Sequence, residues 1–147
     1  MRTEPLYRVT FATPESWSVT LDGAAGTEGL SFLIAEGRCE GRLSARYRGA
    51  NFPRRRADGV LTPSFRGALE TDDGATILFA WDGLTRTGPQ GRRELLGSMT
   101  HTTDDDRYRW LNDRVCAVTG EVRPRSEGGF DVVLEVAELV WEPMERS

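Results

Sequence analysis

Two large hydrogen-bonding aromatics and a carboxamide, Tyr108, Trp110 and Asn112, stand at alternate positions in the run RYRWLN, residues 107–112. On a β-strand alternate side chains share a face, so these three would line one side while Arg107, Arg109 and Leu111 take the other. A phenol and a carboxamide on one wall can orient or polarise a substrate oxygen, and an indole beside them can stack on an apolar ring. Further along the same strand that face takes Cys116 and Val118, so it turns from polar to apolar. Such a gradient is expected of a small barrel interior that holds one small molecule. Alternatively, Tyr108 and Trp110 fill a core with their polar tips satisfied by backbone, and Asn112 belongs to a turn or bulge.

Acid–base chemistry also needs a group that moves a proton. Glu40, in GRCEG, shares a face with Arg38; the two could form an ion pair, or Glu40 could be an inward carboxylate whose desolvation a partner offsets. Asp58 precedes Gly59 in NFPRRRADG, as a turn residue or as a carboxylate held ionised at a pocket mouth by Arg55 or Arg56. The successive arginines Arg54, Arg55 and Arg56 could grip a carboxylate or phosphate through paired hydrogen bonds, or form a solvated loop. His101 is the single histidine of the chain and the reserve base, weighed against a surface position beside Asp104, Asp105 and Asp106. Trp81 shares its strand face with Ile77 and Phe79, the expected inner face. The candidate catalytic set is Tyr108, Asn112, Glu40, Asp58 and His101, and the candidate ligand contacts are Trp110, Trp81, Asn51, Phe52, Arg56 and Arg38.

Composition removes several chemistries. All nineteen basic residues are arginine, which excludes a lysine Schiff base or nucleophile. A net charge of -4 with acids spread along the chain makes nucleic acid an unsuitable partner. The two cysteines, Cys39 and Cys116, lack further ligands at metal spacing and read as buried free thiols, with a bridge between them as the alternative. The triple acid lacks the glycine and later glutamate of a calcium loop, and no nucleophile elbow, phosphate loop or dinucleotide fingerprint is present. Neither metal nor cofactor is expected. The N-terminal residues lack the apolar core of a signal peptide and no window is long and apolar enough to span a bilayer, so a cytoplasmic protein is expected.

The elements that must position these residues are strands. RLSARYRG sets Leu43, Ala45 and Tyr47 against Arg42, Ser44, Arg46 and Arg48, the mark of a strand with one buried and one wet face. TDDG, residues 71–74, separates SFRGALE from ATILFAWDG and supplies hairpin turn chemistry. A second hairpin joins RYRWLNDRVCAVTGEVR to GFDVVLEVAELVWE through PRSEGG. Further strands are expected at PLYRVTFA, LSFLIAEGRCEG and RRELLGSMTHT, with GRRELLG the one stretch that could turn as a helix. Roughly eight strands with short polar turns, in a single domain over residues 1–147, suit a closed antiparallel barrel or a sandwich, and the barrel is preferred because closure leaves no exposed edges.

Several of these stretches, in this order, resemble the DUF3237 family, also called UPF-0311. They are EPL at 4–6, GRCEG at 37–41, RADGV at 56–60, TDDGATI at 71–77, and RYRWLN at 107–112 with the following AVTGEVR. The resemblance implies a calycin-like or lipocalin-like antiparallel barrel with an interior pocket, and no transferable activity. It marks Glu40, Asp58, Gly59, Asp72, Asp73, Gly74, Tyr108, Trp110, Leu111 and Asn112 as positions that keep the family pattern. It also implies Asp-Trp where this chain has Asn51 and Phe52, and Glu where it has Thr102, so chemistry resting on those carboxylates is not shared. The function expected is a small-molecule-binding barrel, a cofactor-independent isomerase, cyclase or lyase acting on an apolar carbonyl-bearing metabolite. The alternatives are a non-catalytic carrier of a hydrophobic small molecule and a filled barrel with a scaffolding role. The expected partner is a small molecule, with no nucleic acid or membrane and with a homodimer left open.

Overall fold

Alternation of apolar and polar residues carries the fold: the computed structural model, which describes residues 1–145, holds ten β-strands and two short 3-10 turns. In chain order the strands are β1 (Arg2–Gly23), β2 (Gly26–Gly41), β3 (Ala45–Asn51), β4 (Arg54–Arg55), β5 (Leu61–Thr62), β6 (Ser64–Thr71), β7 (Thr76–Thr87), β8 (Arg93–Thr102), β9 (Val115–Pro124) and β10 (Phe130–Val140). The two-residue β4 and β5 bridge β2 to β7. The other eight form an antiparallel meander in which each strand pairs with the next, and β10 returns to β1. Closure through β1 and β10 removes the free edges an open meander would carry. The expected all-β antiparallel barrel is the observed fold.

Inward positions follow the period of two. Tyr7, Val9 and Phe11 of β1, Tyr47 of β3, Leu69 of β6, Ile77, Phe79 and Trp81 of β7, Met99 of β8 and Val118 of β9 are all buried. Burying each large apolar side chain stabilises the fold by roughly 1.5–3 kcal/mol. The rings stack inside the barrel: Phe11 on Tyr47 at 5.2 Å, Tyr47 on Phe79 at 4.7 Å, and Phe65 on its cross-strand neighbour Trp81 at 4.4 Å between centroids. Gly49 and Gly67 face one another on β3 and β6 and leave room for Phe79. A Cβ on Gly67 would lie 2.6 Å from Phe79 Cζ and 2.1 Å from the Arg48 carbonyl oxygen, so only glycine fits there.

At the other extreme β1 leaves the barrel. Its register with β2 shifts between Ala12 and Glu15, at a step that contains Pro14, which has no N–H to give a ladder. Beyond it, β1 and β2 run on as a projecting hairpin, with Trp17 stacked on Phe32 at 5.5 Å and Phe32 against Phe52 at 4.9 Å. Trp17 and Phe52 are both exposed there.

Particular expectations fare differently. The TDDG turn forms between β6 and β7, with Gly74 at φ 92°, and Cys39 and Cys116 are buried free thiols. GRRELLG contributes only Gly91 to a 3-10 turn, Pro89–Gly91, and from Arg93 onward it is strand β8. RYRWLN is not a strand: Arg109–Leu111 form a 3-10 turn and β9 begins only at Val115. Among the described residues no helix is long and apolar enough to cross a membrane.

Candidate functional site

The barrel has a sealed end and an open end, and most of the residues singled out from the sequence lie at the sealed one. The 3-10 turn inserts Leu111, fully buried, under the barrel base, and Trp110 packs against the core with the Arg42 guanidinium 4.5 Å above its ring. Asn112 closes the turn: its Oδ1 accepts from the Thr103 N–H at 2.8 Å and its Nδ2 donates to the Thr103 carbonyl at 2.9 Å. The Tyr108 hydroxyl donates to Asp73 Oδ2 at 2.6 Å, and that carboxylate is held below its usual range by Thr71 and Tyr108, with Arg107 adding to the effect. Tyr108 therefore ties the cap to the TDDG turn, Asn112 ties it to Thr103 at the end of β8 and Trp110 packs on the core, instead of the three sharing a cavity wall.

Nearby, Glu40 accepts from Ser44 Oγ at 2.8 Å and from Arg38 Nε at 3.0 Å, and Arg38 also donates to Asp72 at 2.8 Å. These exposed groups form a surface network, and Ser44 and Arg38 keep Glu40 more acidic than an ordinary glutamate. Asp58 lies at the exposed turn between β4 and β5, paired with Arg56 and capping the Val60 N–H at 3.2 Å, so its carboxyl is likewise lowered. Arg54 is engaged by Glu28 at 2.6 Å. Phe52 points outward, opposite to Asn51, as alternation requires once Asn51 faces in. The expected convergence of Tyr108, Asn112 and a carboxylate on one cavity is not found.

His101 is not a surface residue. It lies on the inward register of β8, 1% exposed, and burial pushes its pKa down to about 4. Its Nε2 is 2.6 Å from the Tyr7 hydroxyl, which is 3.1 Å from Met99 Sδ, and its Nδ1 has no partner among the described residues. The arrangement that satisfies every donor has Nε2–H donating to Tyr7 and Tyr7 donating to Met99. Only the Nδ1 lone pair is then left unpaired, which costs less than an orphaned N–H. Neutral and sealed in the base, His101 does not line the cavity at the open end.

That cavity has a volume of about 450 Å³. Phe11, Ala35, Phe65, Trp81 and Leu95 form its inner part, and Leu33, Leu61, Val122, Phe130 and Val132 its walls. Trp81 is fixed by its stack on Phe65 and by Nε1–H donating to the Tyr47 hydroxyl at 3.1 Å. The polar lining is sparse: among the described residues it is Thr13, Ser16, Asn51, Thr85, Arg93 and Arg125, with no carboxylate and no histidine. Asn51 Oδ1 accepts from the Ser64 N–H at 2.9 Å, which orients the amide and leaves its NH2 as the side with donors to offer a ligand. Arg125 donates through Nε to Asp131 at 3.0 Å, whereas Arg93 has the Phe130 ring 5.9 Å from its guanidinium carbon.

Of the residues expected from the sequence to contact a ligand, Trp81 and Asn51 line this cavity, while Trp110, Phe52, Arg56 and Arg38 do not. Thr85, Arg93, Leu95 and Arg125 line it without having been singled out. A signal for two of them was available on β8: stepping back by twos from Met99 passes through Leu95 to Arg93, so one strand face runs from the sealed base through the cavity wall to the rim.

A family model described as a protein of unknown function (DUF3237) matches residues 1–139. No curated protein sequence matches the chain. Among solved structures, a beta-barrel like protein from Acinetobacter baumannii is 22% identical, with a TM-score of 0.76, over 93% of this chain and 94% of its own. A protein of unknown function from Clostridium acetobutylicum is 19% identical, with a TM-score of 0.77, over 95% of this chain and 100% of its own. A structure described as an enzyme from Penicillium herquei is 20% identical, with a TM-score of 0.61, over 92% of this chain and 93% of its own. At these identities the likeness is one of fold.

Proposed function

The chain belongs to the DUF3237 family, a family that brings no activity with it, and from that premise we propose that this barrel binds one apolar small molecule in its open end. The observation that carries this is the cavity of about 450 Å³, walled by aromatic and aliphatic side chains with a few polar groups at the rim. That size and balance are those of small-molecule sites. Trp81 and Phe65 offer a flat face for a ring or an alkyl chain, and the Asn51 amide and the Thr85 hydroxyl can hydrogen-bond an oxygen.

The barrel fold shared with the Penicillium herquei enzyme favours a second reading, catalysis in the same cavity. A cofactor-independent isomerisation, cyclisation or elimination here would not draw on Tyr108, Asn112, Glu40, Asp58 or His101, because none lines the cavity. It would depend on donors aimed at developing negative charge on a carbonyl oxygen, from Asn51, Thr85 and the rim guanidinium groups. Without a carboxylate or imidazole in the lining, the proton acceptor would be the substrate itself or water.

Titration with phenylnaphthylamine, a neutral fluorophore that brightens in apolar sites, tests the binding function. One probe per chain is expected, and Leu95→Trp, which puts an indole into the cavity, should weaken binding at least tenfold while the barrel stays folded by circular dichroism. Absence of binding by the unaltered protein, or binding untouched by Leu95→Trp, would remove the pocket from consideration. Mass spectrometry of any ligand that co-purifies separates the two readings: a carrier releases it unchanged, and an enzyme consumes it with time.

A further inference from the structure

Arg93, half-buried, occupies an inward register position on β8, in line with Leu95 and Met99, and borders the cavity. The carboxylates around it are already taken: Glu94 by Arg86 at 3.2 Å, Glu121 by Arg123 and Arg92, and Asp131 by Arg125 at 2.9 Å. Among the described residues Arg93 therefore has no ion-pair partner. Its neighbours are the Phe130 ring, the apolar wall at Val122 and the cavity itself.

A guanidinium cannot shed its proton, and one partly withdrawn from water beside an apolar cavity gains most from an anion delivered into that cavity. The other guanidinium in the lining, Arg125, is paired with Asp131, so of the two cations that line the cavity Arg93 alone lacks an ion-pair partner among the described residues. One charge over an apolar chamber matches a monoanion with an apolar body. Resting on the binding function above, we infer that the ligand is an apolar monocarboxylate, with its hydrocarbon part against Phe65 and Trp81 and its carboxylate paired with Arg93. A phosphomonoester or other dianion would leave a second charge unmatched.

Displacement of phenylnaphthylamine by decanoate and by decanol, compared at pH 7, tests the charge separately from the cavity. The two competitors share an alkyl chain and differ in the head group. Decanoate is expected to compete at least tenfold more strongly than decanol. Arg93→Gln should abolish most of that difference by weakening decanoate alone, and Arg93→Lys should restore part of it. Equal competition by acid and alcohol in the unaltered protein overturns the inference while leaving the apolar pocket standing. So does a loss in Arg93→Gln that affects both competitors alike. A probe that never binds overturns the pocket and this inference together, so the two failures are distinguishable.

Discussion

His101 illustrates how little a residue type says before its surroundings are known. The one imidazole of the chain is buried and uncharged, with its pKa lowered from 6.5 to about 4 by desolvation. In the unfolded chain it binds a proton as pH falls through about 6.5, whereas the folded protein resists protonation down to about 4. The unfolded state thus binds more protons across that window, and stability falls as pH falls through it, by on the order of 3 kcal/mol in all. The acid-side contribution of Asp105, whose pKa the Arg107 guanidinium lowers from 3.8 to about 2, lies below this window. Denaturation by urea at a series of pH values should show the decline between pH 6.5 and 4 in the unaltered protein. His101→Gln, which keeps a donor for Tyr7 without a titrating ring, should flatten much of it. Equal slopes for the two proteins would mean that His101 is not the titrating group.

At the scale of elements, the cap and the strands were unequally legible in the sequence. TDDG announces a hairpin because Gly74 needs a positive φ and Thr71 Oγ accepts from the Ala75 N–H at 2.7 Å. RYRWLN also alternates, yet the preceding TTDDD is turn chemistry: Asp105 Oδ1 accepts from the Arg107 N–H at 2.9 Å and Thr103 Oγ from the Asp105 N–H at 3.2 Å. Those side-chain bonds turn the chain before a strand can start, and the apparent period of two is coincidence. Tyr108 bonds Asp73, Asn112 bonds the Thr103 backbone and Leu111 is fully buried beneath them, which makes the cap a stability element. Tyr108→Phe should cost about 1 kcal/mol through loss of the bond to Asp73, and Leu111→Ala about 2–5 kcal/mol through the cavity it leaves. Neither should change the affinity for phenylnaphthylamine. A large loss of binding in Tyr108→Phe, with the fold intact, would return Tyr108 to the functional site. The cavity rim was harder to read because its residues come from the ends of strands distant in sequence, where only strand phase carried through to Arg93 links them to the core.

Across the whole molecule the barrel separates its tasks along its axis. The base is closed by Leu111, the Tyr7–His101–Met99 chain and the surface ion pairs of Glu40, Arg38 and Asp72, whereas the opposite end keeps a chamber above the Phe11, Tyr47 and Phe79 stack. The packed rings between the two ends leave no cavity residue in common with the cap. A ligand that binds only the folded chain stabilises it by an amount set by its concentration relative to Kd, about 2.7 kcal/mol at a hundredfold excess over Kd. If the two ends are energetically independent, that increment is indifferent to damage at the base. Thermal or urea unfolding of the unaltered protein and of Leu111→Ala, each with and without phenylnaphthylamine at one and the same free concentration, about a hundredfold above the Kd of the unaltered protein, completes a four-way cycle. The stabilisation by the probe should agree between the two proteins within about 0.5 kcal/mol, the margin for distant sites that share no partners. A larger discrepancy would mean that the aromatic stack transmits strain from the cap to the cavity, and that the base takes part in binding without touching the ligand.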